Sequence, residues 1–249
     1  MSYHYSFIQL LEFYWQFFLV EEHMSKLKSL AALMSFASAG ALASDVISLE
    51  DITKITSVGY SVISPSGDHV AFTRSVPREL YVDKNGSHYS ELFVTDSKGN
   101  ERPFITGKVK VGAIEWSADG KFVYFLAKFK DDKFTQLYRI PVDGGERQKV
   151  LALKGSSISR YDISPDGKQI ALLAMPAKDK SEKKLKELGF KAEVYEMDLK
   201  NKQLFITDLS RQHKAVKLDA VDIAGYVSDM NWAADNKQLL VKTQPTALI

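Results

Sequence analysis

The stretch "YDISPDGKQIALL" (Tyr161–Leu173) holds a serine, two aspartates and a glycine. These residue types suit an active site, and they equally suit a tight turn between two strands. The chain settles the choice by repetition. "YSVISPSGDHVAFTR" begins at Tyr60, "IEWSADGKFVYFLAK" at Ile114 and "MNWAADNKQLLVKTQ" at Met230. An active site occurs once, whereas a phrase written four times marks a structural repeat. Aligned on Gly67, Gly120, Gly167 and Asn236, the copies lie 53, 47 and 69 residues apart.

Each copy has one plan. A short apolar strand leads in (Tyr60–Ile63, Ala113–Trp116, Ser159–Ile163, Val227–Trp232). A turn follows, then a strand rich in aliphatic and aromatic residues (His69–Thr73, Phe122–Leu126, Gln169–Leu173, Gln238–Lys242). The turn residues are Ser64, Pro65 and Gly67, then Asp119 and Gly120, then Ser164, Pro165, Asp166 and Gly167, and Asn236 in the last copy. Serine or aspartate suits the first turn position, proline pre-sets φ, and glycine accepts positive φ. Asparagine tolerates the left-handed region better than most residues, so Asn236 can stand for glycine. Backbone geometry thus accounts for these serines and aspartates, and none is read as catalytic.

Behind the first three pairs comes a further hairpin: "SELFVTDSKGNERPFI" (Ser90–Ile105), "TQLYRIPVDGGERQKVL" (Thr135–Leu151) and "AEVYEMDLKNKQLFITDL" (Ala192–Leu209). Each reads as a third strand, a polar turn and a fourth strand. Four antiparallel strands in roughly 45–60 residues make one β-propeller blade. The expected fold is all-β, an incomplete propeller with blades at about 55–106, 108–152, 155–210 and 215–249, or about three and a half blades within 45–249. The third unit carries "PAKDKSEKKLKELGFKA" (Pro176–Ala192) between its second and third strands. Leu185, Leu188 and Phe190 form a weak apolar face there, and Gly189 is a helix stop. A short helical insertion is expected, packed on the rim or reaching a partner domain. Because the fourth unit stops in mid-blade, the chain is expected to be the front portion of a longer protein.

The N-terminus carries its own signal. Lys26 and Lys28 precede an apolar, small-residue run from Leu30 to Ala39, and Ala41 and Ala43 form an A-x-A cleavage pattern. Residues 24–43 are therefore read as a signal peptide cleaved after Ala43, leading to the periplasm or outside the cell. The run is too short for a membrane-spanning helix, so no stable span remains after cleavage. Residues 1–23 are aromatic and apolar and place Glu21, Glu22 and His23 before the signal. Either translation starts at Met24 and residues 1–23 are a mis-assigned extension, the favoured reading, or the leader is long.

The "SPDGK" turns with their following "LY/VY…D" strands resemble the N-terminal propeller of secreted serine peptidases of the prolyl oligopeptidase family. The likeness is to the acylaminoacyl-peptidase and dipeptidyl-peptidase branch. It covers about residues 45–249, and "KKLKELGFKAEVYEMDL" in the third unit is its most specific piece. It implies a propeller that gates and binds peptide substrates for an α/β-hydrolase domain carrying a Ser-Asp-His triad. None of that triad maps onto this chain. The G-x-S-x-G elbow does not occur, and His4, His23, His69, His88 and His213 lie outside any hydrolase-like context. "SPDGK" alone also fits TolB-type propellers, so a non-enzymatic periplasmic propeller binding a protein or peptide is the alternative.

The remaining composition narrows the partners. A formal net charge of +2 with interleaved acids and bases gives no reason to expect nucleic acid. Without cysteine the chain has no disulfide, thiolate metal site or cysteine nucleophile. No histidine pair has metal-ligand spacing, and Gly144-Gly145 has no following Lys-Ser pair for phosphate. Neither cofactor nor metal is expected. Asp131-Asp132 and Asp143 are placed to line a rim, although paired acids in a loop are usually solvated.

Overall fold

The computed structural model describes residues 47–176, 180–190, 201–209, 215–216 and 218–246. The expected signal helix, its cleavage residues Ala41 and Ala43, and residues 1–23 lie outside the described residues. The chain divides into two compact units, Met1–Ile52 and Thr53–Ile249. In the first, α1 (Leu49–Ile52) opens on a capping box. Ser48 Oγ accepts the Asp51 N–H at 3.1 Å, and the Asp51 carboxylate accepts the Ser48 N–H at 3.0 Å.

The second unit is a succession of antiparallel sheets, each a meander in chain order. The first is β1 (Ser57–Ile63), β2 (His69–Val76), β3 (Tyr89–Asp96) and β4 (Glu101–Ile105). The second is β5 (Gly112–Trp116), β6 (Phe122–Ala127), β7 (Gln136–Pro141) and β8 (Gln148–Leu153). The third is β9 (Ile158–Ile163), β10 (Gln169–Ala174) and β11 (Gln203–Asp208). Finally β13 (Tyr226–Trp232) pairs with β14 (Leu239–Gln244).

The period of two along each strand stacks these sheets. Val123, Phe125 and Ala127 of β6 join Ala71, Leu92 and Val94 of the first sheet in one core. Tyr124 and Leu126, on the other face of β6, join Ile170, Leu172 and Ala174 of β10 in a second core. Ala171 and Leu173 of β10 turn the opposite way, to Val227 and Met230 of β13. Every inner sheet is apolar on both faces, as face-to-face stacking requires.

The repeated turn is more elaborate than its residue types suggested. Gly67, Gly120, Gly167 and Asn236 adopt φ of 80°, 69°, 68° and 59°. The serine hydroxyl also bridges the two strands. Ser117 Oγ accepts the Phe122 N–H at 2.9 Å while donating to Asp119 at 2.6 Å. Ser164 Oγ does the same with Gln169 at 2.9 Å and Asp166 at 2.7 Å. Ser64 Oγ accepts the His69 N–H at 3.0 Å. The last copy has Ala233 in the serine's place, and there Asp235 accepts the Gln238 N–H directly at 3.2 Å.

Three expectations need correction. In the third sheet, Gln203–Asp208 was expected as a fourth strand. It pairs directly with β10, Ala174 opposite Gln203, and so takes the third position. Residues 191–200, which hold the expected third strand, lie outside the described residues. The second sheet gains a fifth strand that no hairpin signal announced. β12 (Ala215–Val216) runs parallel along β8, with Ala215 opposite Ala152. A two-residue pairing leaves too short a pattern to read. Asp132 is no solvated loop acid. Its side chain is 4% exposed and accepts from the Phe129 N–H at 3.0 Å, from Lys149 at 2.6 Å and from the Tyr138 hydroxyl.

The insertion forms α2 (Lys180–Glu187) between β10 and β11. Gly189 at φ 95° ends it, with the Phe190 N–H donating to the Leu185 carbonyl at 3.0 Å, the long bond of a Schellman cap. Leu185, Leu188 and Phe190 are exposed and pack on no described rim.

Candidate functional site: the inner-strand cavity

The first strands of the four sheets all contribute to one open cavity of about 700 Å³, lined by Tyr60, Lys110, Glu115, Arg160, Asp162 and Ser228 among others. The sequence repeat sets which side chains arrive there. Two residues before each turn serine, or before Ala233, stand Val62, Glu115, Asp162 and Asn231. One residue before it stand Ile63, Trp116, Ile163 and Trp232. Strand alternation sends the former toward the following sheet and the latter toward the preceding one.

Consecutive inner strands are joined at these positions. The Trp116 indole N–H donates to the Val62 carbonyl at 3.0 Å. The Trp232 indole donates likewise to the Asp162 carbonyl at 3.1 Å, and the Trp232 backbone N–H donates to the Asp162 carboxylate at 2.5 Å. Arg160 and Asp229 add an ion pair of 2.7 Å between the third and fourth sheets.

Burial dominates the electrostatics. The Glu115 carboxyl is pushed up to about 8, first by desolvation and then by the charge of Asp162, while the Ile163 N–H turned toward it works the other way. Asp162 is also raised, mainly by burial, against the stabilising Trp232 N–H. Tyr161 packs between the second and third sheets. Burial lifts its phenol well above the usual range, and its hydroxyl has no hydrogen-bond partner among the described residues. Burial thus favours the protonated form of Glu115, and the cavity wall offers carboxyl, guanidinium and ammonium groups to a ligand. Val111, Ile114, Leu126, Ile158 and Leu173 line it beside these groups, so the wall suits a ligand with both a polar backbone and apolar side chains.

Among the described residues that line the cavity there is no histidine. The sequence-predicted turn residues Ser64, Pro65, Gly67, Asp119, Gly120, Ser164, Pro165, Asp166, Gly167 and Asn236 sit in the inter-strand turns and line none of the cavity. Ser164 is 2% exposed and its hydroxyl is bonded to Asp166 and Gln169. The nearest approach to a dyad is Ser75 Oγ at 3.1 Å from His88 Nδ1. Among the described residues no carboxylate orients that imidazole, the third member that a triad needs. Among the described residues no group of three His, Asp or Glu side chains gathers to hold a metal. Glu115, Asp162 and Tyr161 escaped sequence reading. The signal that marks the two acids is the fixed offset from the turn, where two of four copies hold an acid.

No family model and no curated protein matches the chain. Solved structures do. Acylaminoacyl peptidase from Pyrococcus horikoshii matches at 16% identity and a TM-score of 0.50, over 74% of this chain and 27% of that one. The β-propeller domain of the Trilobed protease from Pyrococcus furiosus matches at 17% identity and a TM-score of 0.44, over 76% and 50%. TolB from Acinetobacter baumannii matches at 18% identity and a TM-score of 0.47, over 73% and 36%. The fold is an incomplete β-propeller. At such identities the likeness is one of fold, and this chain spans between about a quarter and a half of the length of each of these structures. No helix among the described residues is long and apolar enough to cross a membrane.

Proposed function

We propose that the chain is the propeller portion of a periplasmic or secreted serine peptidase of the prolyl oligopeptidase family. Its task is to admit and hold peptide substrates for an α/β-hydrolase domain that supplies the nucleophile. The observation that carries this reading is the cavity walled by the inner strands, where charged and polar groups are set among apolar ones. A peptide brings amide donors and acceptors along its length, and the Glu115, Asp162 and Arg160 side chains meet it with both kinds of partner. The third-sheet insertion, α2, carries part of the "KKLKELGFK" stretch on which the resemblance rests. Export follows from the Lys26–Ala43 segment.

The chain by itself is expected to hydrolyse nothing. Incubation with a fluorophosphonate probe should label no serine, and labelling would overturn the division of labour. The coding DNA beyond codon 249 supplies the second test. A frame that reaches a G-x-S-x-G elbow supports the reading. A frame that adds blades and stops without a hydrolase domain overturns it in favour of a binding propeller of the TolB kind.

A further inference from the structure

A side pocket of about 540 Å³ adjoins the inner-strand cavity, and Tyr60 and Val111 line both spaces. It lies in the joint between the first and second sheets. Thr73 and Ser75 of β2 and Ser90 of β3 reach it from the face that the first sheet turns to the second. The register shows this, because Thr73 pairs with Leu92 and Ser75 with Ser90, and Leu92 belongs to the core those two sheets share. The serine and threonine hydroxyls that line the pocket are already bonded within the protein. Thr73 Oγ1 accepts the Tyr60 N–H at 3.0 Å, and Ser90 Oγ donates to the Val111 carbonyl at 2.7 Å. Ser75 Oγ lies 3.1 Å from His88 Nδ1, and Ser87 Oγ accepts from the Lys110 ammonium. A polar group entering the pocket meets partners that are taken, so the space favours an apolar side chain.

Lys110 stands between the two spaces. It lines the cavity, and its Nζ is held by Ser87 Oγ, which belongs to the side pocket. That hydroxyl carries no charge, and among the described residues no carboxylate pairs with Lys110. The other cations of the cavity wall are placed differently. Arg160 is paired with Asp229 at 2.7 Å. Lys202, next to β11, has its Nζ 5.6 Å from the centre of the Tyr226 ring. An ammonium positioned by a neutral partner keeps its charge for a ligand anion.

We infer that this junction receives the C-terminal residue of a bound peptide, its carboxylate on Lys110 and its apolar side chain in the pocket between the first two sheets. An internal residue offers an apolar side chain or a carboxylate, never both. Only the last residue of a chain carries the two on one Cα, so an ammonium beside an apolar pocket reads a chain end. The residues before it extend along the wall toward Glu115 and Asp162. The inference rests on the reading of the cavity as a holder of peptides, and it adds which end of the peptide lies at the first sheet.

Fluorescence anisotropy of the full chain with the peptide Ala-Ala-Ala-Phe, labelled at its N-terminus, tests this. The free acid should bind at least about tenfold more tightly than the C-terminal amide, the worth of one charge-assisted bond. Lys110 is exposed, so K110Q should fold, and it should bind acid and amide alike, as weakly as wild type binds the amide. K202Q should keep the preference for the acid. Aspartate in place of the last phenylalanine should weaken binding of the free acid to wild type. Equal affinity of wild type for acid and amide overturns the inference without any variant. So does an undiminished preference in K110Q, indifference between phenylalanine and aspartate, or failure of the acid to bind. A downstream frame without a hydrolase domain would overturn the peptidase reading and leave these affinities as they are.

Discussion

Asn236 Oδ1 accepts the backbone N–H of Asp166 at 2.7 Å, joining the turn of the fourth sheet to the turn of the third. Asparagine at this place therefore does two things. It takes the left-handed backbone, φ 59°, and it supplies an acceptor that glycine lacks. N236G should keep the turn and lose the bond, at a cost of roughly 0.5–1 kcal/mol. N236A should lose the bond and also strain the backbone, adding about 1 kcal/mol more. Urea midpoints for the three proteins, in the order wild type, Gly, Ala, check this; a glycine variant as stable as wild type would show that the inter-turn bond contributes nothing.

Glu115 makes stability depend on pH in an unusual direction. Its carboxyl titrates near 8 in the folded protein and at an ordinary 4.5 when unfolded. Between those values the folded state holds a proton that the unfolded state has released, so stability falls as pH rises from about 4.5 to about 8. The raised carboxyl of Asp162 acts in the same sense. E115Q keeps the shape and removes the titration. Its stability should be flatter across this window and exceed that of wild type at pH 8, by an amount on the order of a few kcal/mol. Parallel pH profiles for the two proteins would count against buried ionisation at Glu115.

Ser164 supports structure alone. S164A removes the hydroxyl that accepts the Gln169 N–H and takes one donor from Asp166, which keeps the Lys168 N–H at 3.1 Å. A loss of about 1–2 kcal/mol in unfolding free energy is expected. In the fourth sheet, where Ala233 already stands at this position, A233S should change stability by less than half as much. Equal and opposite effects at the two sites would contradict the assignment of that role to Asp235.

The Leu172 side chain is fully buried between the second and third sheets. L172A should cost about 2–5 kcal/mol, whereas L240A, on an exposed position, should cost under about 0.5 kcal/mol in the monomer. Thermal melts at low protein concentration separate the two. Comparable losses would mean that Leu240 is covered within one copy.

Export is read from mass. The chain expressed with its leader in a Gram-negative host should appear in the periplasmic fraction with Ser44 as its first residue. Replacement of Ala43 by a bulky residue such as Tyr should retain the uncleaved form. An intact leader on wild-type protein would remove the case for a signal peptide.

The architecture was legible because a tight turn dictates its residues locally. Gly67, Gly120 and Gly167 announce positive φ in the sequence, and the strands beside them alternate visibly. The third sheet misled because Gln203–Asp208 follows a polar stretch that looks like a hairpin turn, while its pairing with β10 is a long-range matter. The same holds for β12, whose two residues carry no period. Asp132 reads as one of two adjacent loop acids until Lys149 and Tyr138, distant in sequence, converge on it. Glu115 and Asp162 look like ordinary polar positions in edge strands. Their environment exists only once neighbouring sheets have stacked.

The alternating faces of β6 and β10 carry a mechanical consequence. Odd and even positions of one strand serve different cores, so each inner sheet is coupled through its two faces to the sheets on either side. A lesion at Phe125 loosens the joint with the first sheet, and one at Leu126 the joint with the third, though the residues are adjacent. Stability then propagates like tension along a row of linked plates, fading with each joint crossed. Insertion of a single residue into such a strand would exchange the two cores at once.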